Sequence, residues 1–124
     1  MKENPIMILN LIAQTIFDKK GFNILALDVQ GVSTITDYLL IAEGNVNRHV
    51  KAMAQTIIQD LEKKGIKPHQ VEGVSEGDWI VIDYTDIIVH LFMPGLRDKY
   101  QLEKLWQVGK IVDLEIDVGK EGES

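Results

Sequence analysis

The stretch that most limits how this chain can fold is residues 79–92, WIVIDYTDIIVHLF. Two short runs rich in Ile and Val stand back to back, which reads as two strands joined by a tight turn. In a strand, residues i and i+2 share a face. Pairing around Tyr84-Thr85, with Asp83 opposite Asp86, puts Ile80, Ile82, Ile87, Val89 and Leu91 on one side. Trp79, Val81, Asp83, Asp86, Ile88, His90 and Phe92 fall on the other. The first side is wholly aliphatic and needs a cover of helices. The second mixes aromatic, aliphatic, acidic and imidazole groups, which suits a surface covered only part of the time. Tight two-residue loops favour Gly, Asn or Asp at positive φ. Tyr-Thr supplies none of these, so the register stays open to a loop one residue longer.

The remaining chain supplies that cover. Asn4-Pro5 is a helix start, with Asn as cap and Pro at the first helical position. The helix runs to Lys19-Lys20 and Gly21 ends it. Its apolar coverage leaves only a narrow polar stripe through Asn10 and Gln14, wider than an ordinary surface helix needs. Either it is sandwiched within the domain or its spare face meets a second copy, a homodimer through the first helix. Residues 23–29 and 37–42 read as strands joined by the polar connection QGVSTIT. Asn45 caps a second helix over residues 46–64, with Val50, Met53, Ala54, Ile57, Ile58 and Leu61 at helical spacing, and Gly65 stops it. A short strand at 70–72, a terminal helix carrying Tyr100, Leu102, Leu105 and Trp106, and a weak edge strand at 111–118 complete the order. The expectation is an α/β domain over residues 1–118, a mixed β-sheet with helices on at least one face, and a frayed tail at 119–124.

Composition narrows the function. The chain has 124 residues, no cysteine and a net charge of −6. Disulfides and thiolate metal sites are excluded, and a reducing cytoplasm is the natural compartment. The apolar start is interrupted by Asn10, Gln14 and Thr15 and is too short to span a bilayer. Nucleic-acid phosphate is a poor match for this charge, with no run of basic residues longer than two. Residues 72–86 instead hold five carboxylates (Glu72, Glu76, Asp78, Asp83, Asp86) and no cation. Beside Trp79, such a surface would repel a polyanion and attract a basic protein, while on composition alone an acidic balance reads first as a device for solubility.

A search for chemistry finds little. Gly44-Asn45 before the second helix is the one place for a phosphate loop, and a single glycine reads as a plain turn. His49, His69 and His90 sit on separate elements without metal-ligand spacing. The carboxylate pair that nucleotidyl transfer needs on one strand is absent, apart from Glu115 and Asp117 near the C-terminus. What remains is binding. Trp79, Tyr84, Arg97, Tyr100 and Trp106, residues of the types that supply interface hot spots, all lie in the second half of the chain. Trp106 and Leu105 read as helix-docking residues, whereas Trp79 divides between core and partner contact.

Four segments carry a resemblance: DYLLIAEG (37–44), RHVKAMA (48–54), EGVSEGDWIVIDYTDIIVHLF (72–92) and RDKYQLEKLW (97–106). Together, and in order over residues 6–106, they resemble the ribosomal silencing factor family, RsfS, also called the Iojap family. The resemblance implies a nucleotidyltransferase-like fold without its catalytic carboxylates, no enzymatic activity and no cofactor. It further implies binding to the large ribosomal subunit through ribosomal protein L-fourteen, with little direct nucleic-acid contact. The resemblance places that contact on the face where the small subunit docks, so that occupying it would block subunit joining and repress translation, with organellar relatives tied to large-subunit assembly. By position, the partner surface includes Trp79, Tyr84 and Tyr100, with Asp83 and Asp86 as acidic neighbours and Tyr38, His90 and Arg97 as further contacts. Thr85 stands where relatives often have Gly, and Met93-Pro94-Gly95-Leu96 replaces a polar, usually acidic stretch. The nearly all-apolar first helix and the extension after Trp106 also depart from the pattern. The rival reading, a nucleotidyltransferase-like nucleotide-binding enzyme, rests on the fold alone.

Overall fold

The computed structural model describes residues 4–95 and 109–118. Helix α1 covers Pro5–Asp18 and starts as the sequence requires, with the Asn4 side chain accepting the Ile6 N–H at 2.9 Å. Its end differs. Lys20, not Gly21, takes the left-handed conformation, at φ +70°. The Gly21 N–H donates to Ile16 O at 2.8 Å and the Lys20 N–H to Phe17 O at 3.0 Å, so the last carbonyls are satisfied. Gly21 is needed for space, because a Cβ there would run into Ile16 Cγ2 and Met53 Sδ.

Strands β1 (Phe22–Asp28), β2 (Tyr38–Glu43), β3 (Gln70–Glu72), β4 (Trp79–Asp83), β5 (Ile87–Phe92) and β6 (Lys110–Ile111) form one mixed sheet. Its order is β3-β4-β5-β2-β1-β6, with β2 and β5 parallel and the other neighbours antiparallel. All six residues of β2 are buried, as expected of a central strand covered on both faces. Helix α2 (Asn47–Glu62) and α1 lie together on one face of the sheet. The α2 cap corrects the sequence expectation: Val46 holds the cap position without a side-chain bond, and Asn45 lies one residue before it. His49 in the first turn takes over, its Nδ1 accepting the Asn45 N–H at 2.9 Å. Nε2 therefore carries the ring proton and donates to Lys19 O at 2.6 Å, tying the end of α1 to the start of α2.

The hairpin turn is also corrected. The pairs are Trp79↔Phe92 through Asp83↔Ile88, so Asp83 does not face Asp86. Tyr84 N–H donates to Ile87 O at 2.8 Å, closing a two-residue loop of Thr85 and Asp86. Thr85 sits at φ +74°, held by its N–H donating to Asp83 Oδ1 at 2.7 Å. This register differs by two residues from the sequence expectation, and a shift of two leaves each side chain on its original face. Ile80, Ile82, Ile87, Val89 and Leu91 are accordingly all buried against α1 and α2.

The C-terminal segment forms only the two-residue β6 before it leaves the sheet, where a longer edge strand was expected. It then runs along α1. Glu115 N–H donates to Asn10 Oδ1 at 2.8 Å, Asp117 N–H to Gln14 Oε1 at 2.7 Å, and Gln14 Nε2 donates to Asp117 O at 3.0 Å. Four helical residues rise about 6 Å and two extended residues about 6.6 Å, so the two spacings match. The polar stripe on α1 is thus a rail for the extended segment, with Val112 and Leu114 packed on the core. Within one chain, α1 packs on the sheet and α2 on one side and along residues 112–117 on another, and Met7 stays 62% exposed. The expected terminal helix, with Arg97, Tyr100, Leu102, Leu105 and Trp106, lies outside the described residues, as does the tail at 119–124.

Thr85→Gly relieves a β-branched residue of roughly 1–2 kcal/mol of left-handed strain against about 0.5–1 kcal/mol of added chain entropy. A higher urea midpoint at unchanged slope is the expected result. Asn10→Ala with Gln14→Ala should remove hydrogen-exchange protection at the Glu115 and Asp117 amides and leave the β4–β5 amides protected.

Candidate partner-binding surface

The sheet face away from the helices carries a second apolar cluster: Leu27, Val29, Leu39, Ile41 and Phe92 are buried, with Leu25, Trp79 and Ile88 packed around them. Leu25 on β1, Trp79, Val81 and Asp83 on β4, and Ile88 and His90 on β5 are half-buried on this face. Among the described residues, five of these six lie on the β4–β5 pair.

Trp79 is held by what precedes it. Residues 73–78 turn back with Gly73 at φ +85° and Gly77 at φ +78°. A Cβ on Gly73 would collide with the Trp79 backbone oxygen, so the first glycine is a steric requirement. The loop is tied to α2: Lys51 Nζ donates to Ser75 O at 2.9 Å and Asn47 Nδ2 to Glu76 O at 3.3 Å. The Trp79 ring stacks on Phe92, with centroids 5.3 Å apart, and on His90 at 6.0 Å. Its Nε1–H donates to His90 Nδ1 at 3.2 Å. Burial lowers the His90 pKa to about 4, so the imidazole is neutral near pH 7 with Nδ1 free to accept that bond. The result is a fixed aromatic ledge, with Glu72 and Glu76 exposed and Asp78 half-buried on the approach to it.

Other expected contacts lie elsewhere. Asp83 and Asp86 are at the far end of β4 from Trp79, roughly 13 Å along a strand of this length. The five carboxylates of residues 72–86 therefore form two groups, not one patch. Tyr84 is 4 % exposed and packs on the helix side, so its ring is not presented to a partner. Alternation explains this, since Tyr84 continues the Ile80, Ile82 series. Among the described residues its hydroxyl has no hydrogen-bond partner, and burial pushes its pKa up to about 12. Tyr38 is likewise in the helix-side core, its oxygen accepting from Gln30 Nε2 at 3.0 Å. Burial first, then the Asp28 and Asp37 charges, raises its pKa. Arg97 and Tyr100 lie outside the described residues. Sequence reasoning missed the His49 clamp and two exposed aliphatics of the QGVSTIT connection, Val32 and Ile35. The signal for the second was plain: large apolar residues inside a polar loop.

Among the described residues no group of three or more His, Asp or Glu side chains could hold a metal ion, and no helix is long and apolar enough to cross a membrane. Gly44 does not open a phosphate loop: a Cβ there would meet Met53 Cε at 2.9 Å and His49 Nδ1 at 3.1 Å.

Because the folded protein holds His90 neutral, its contribution to stability is full above the unfolded pKa near 6.5 and is lost as pH falls toward 4. Urea midpoints measured from pH 7 to pH 4 should fall less steeply in His90→Gln than in the parent.

Residues 2–123 match the family model described as ribosomal silencing factor during starvation, RsfS. The chain is 37% identical over 117 residues to the ribosomal silencing factor RsfS of Bacillus subtilis, covering 94% of this chain and 99% of that one. It superposes with a TM-score of 0.81 and 30% identity on the crystal structure of protein CV0518 from Chromobacterium violaceum, over 95% of this chain and 98% of that chain. A more distant relative, 28% identical over 110 residues, is the mouse mitochondrial assembly of ribosomal large subunit protein 1; the match spans 86% of this chain and 46% of that longer protein. The residues that shape the ledge, the glycines of EGVSEGDW and the tryptophan they lead into, thus belong to a chain that matches this family over nearly its whole length, and the protein is a member of the RsfS family of ribosomal silencing factors.

Proposed function

We propose that this protein represses translation without catalysis, by docking the Trp79 ledge on ribosomal protein L-fourteen of the large ribosomal subunit and sterically blocking the small subunit. The observation that carries the reading is Trp79 itself: half-buried, braced by Phe92 and His90, and approached past Glu72, Glu76 and Asp78. A rigid aromatic group loses little freedom on binding, and the adjoining carboxylates steer a basic protein toward it while repelling bare RNA phosphate. The name of the mouse relative, with its reference to the ribosomal large subunit, supports that subunit as the target. Tyr100 and Arg97 complete the contact by position in the family pattern. The setting is the cytoplasm, where subunits join.

Trp79→Ala should weaken binding to purified large subunits by ~30- to 1,000-fold, the equivalent of ~2–4 kcal/mol at a hot spot. Co-sedimentation at low and at high salt reads this directly, with association falling as salt rises. Undiminished binding by a folded Trp79→Ala protein removes the ledge from the contact. Entry of the bound chain into joined ribosomes removes the steric block.

A further inference from the structure

The end of the sheet opposite Trp79 has its own character. Residues 29–37, the link from β1 to β2, are built as a fixed loop: Gln30 N–H donates to Asp28 Oδ1 at 3.0 Å and Ser33 N–H to Val29 O at 2.9 Å. Ile35 N–H donates to Ser33 Oγ at 3.1 Å, and Asp37 N–H donates to Asp86 O at 3.2 Å, across to the hairpin turn. This braced loop holds Val32 57% exposed and Ile35 76% exposed. Asp28, Asp37, Asp83 and Asp86 stand at the same sheet end, one from each of β1, the β2 approach, β4 and the hairpin turn. Lys110 is paired with Asp28 on one side of this end, and Lys67 lies three residues before β3 on the other.

Two large aliphatics on a pre-ordered loop, bordered by carboxylates of the central strands, fit an apolar patch flanked by lysine or arginine. We propose that this loop is a second protein-docking surface, taken by a basic protein through Val32 and Ile35. Phosphate-bearing RNA is the poorer occupant, since the same carboxylates repel it. The source of that protein, the large ribosomal subunit, rests on the reading above.

The test places a photo-cross-linking residue, Ile35→p-benzoylphenylalanine, in the full chain, mixes it with purified large ribosomal subunits, and recovers the pellet after irradiation. A cross-link to a basic ribosomal protein is the expected result. Co-sedimentation with no cross-link, or with a cross-link to ribosomal RNA alone, overturns this surface and leaves the Trp79 contact standing. If the unsubstituted chain itself fails to co-sediment, the ribosome reading falls and this surface falls with it. If only the substituted chain fails to bind, Val32→Ser with Ile35→Ser decides: at least ~10-fold weaker binding with an unchanged tryptophan fluorescence spectrum supports the surface, and unchanged binding overturns it.

Discussion

The alternation of side chains along β4 and β5 is the constraint on which the rest of this structure depends. Every second residue of the pair is aliphatic and buried, and that series anchors α1 and α2 to the sheet. The intervening residues bring Trp79, His90 and Phe92 into one stack on the other face. Displacing either strand by one residue would bury Asp83 and His90 under the helices and expose five aliphatic side chains. The Thr85 turn fixes the register at the cost of backbone strain, with the Asp83 carboxylate holding its N–H. The aromatic face and the core are therefore one decision.

Charge acts within that frame. Neutral His90 can accept the indole N–H, and this prevents the indole from rotating off its neighbours. A protonated imidazole has no acceptor at Nδ1, so the bond that orients Trp79 requires the neutral ring. The carboxylates lie outside the stack, where hydration limits their desolvation cost and their field still extends into solvent. Aromatic surface and negative charge are thus supplied by different residues at the same end of β4.

Much of this was legible in the chain. Alternation in WIVIDYTDIIVHLF identified the buried series, and helical spacing in α2 identified its inward face. The β2 strand and the short β3 also fall where composition placed them, to within a residue. The readings that failed depended on the partner of a local signal. Asn45 is a good capping residue, yet it lies one residue before the cap, and its backbone N–H donates to His49, whose ring also reaches Lys19. Gly21 is a good helix stop, yet Lys20 takes the left-handed turn because Gly21 must leave room for Met53. Tyr84 had the composition of a hot spot, but its place in the even-numbered series sends it under the helices. The acidic run 72–86 is continuous in sequence and divided in space because β4 separates its two halves.

Helix α1 shows why coverage alone does not dictate association. A helix apolar on nearly all sides must bury more than one face, and a second copy is one way to do so. Here the sheet and α2 take one part and residues 112–117 of the same chain take another. The narrow polar stripe is the informative feature, because amides at i and i+4 on a helix match the repeat of alternate residues in an extended chain. Asn10 and Gln14 satisfy backbone groups of a segment that has left the sheet, where those groups have no strand partner. The two amides that interrupt the apolar surface are what allow the C-terminal segment to close it.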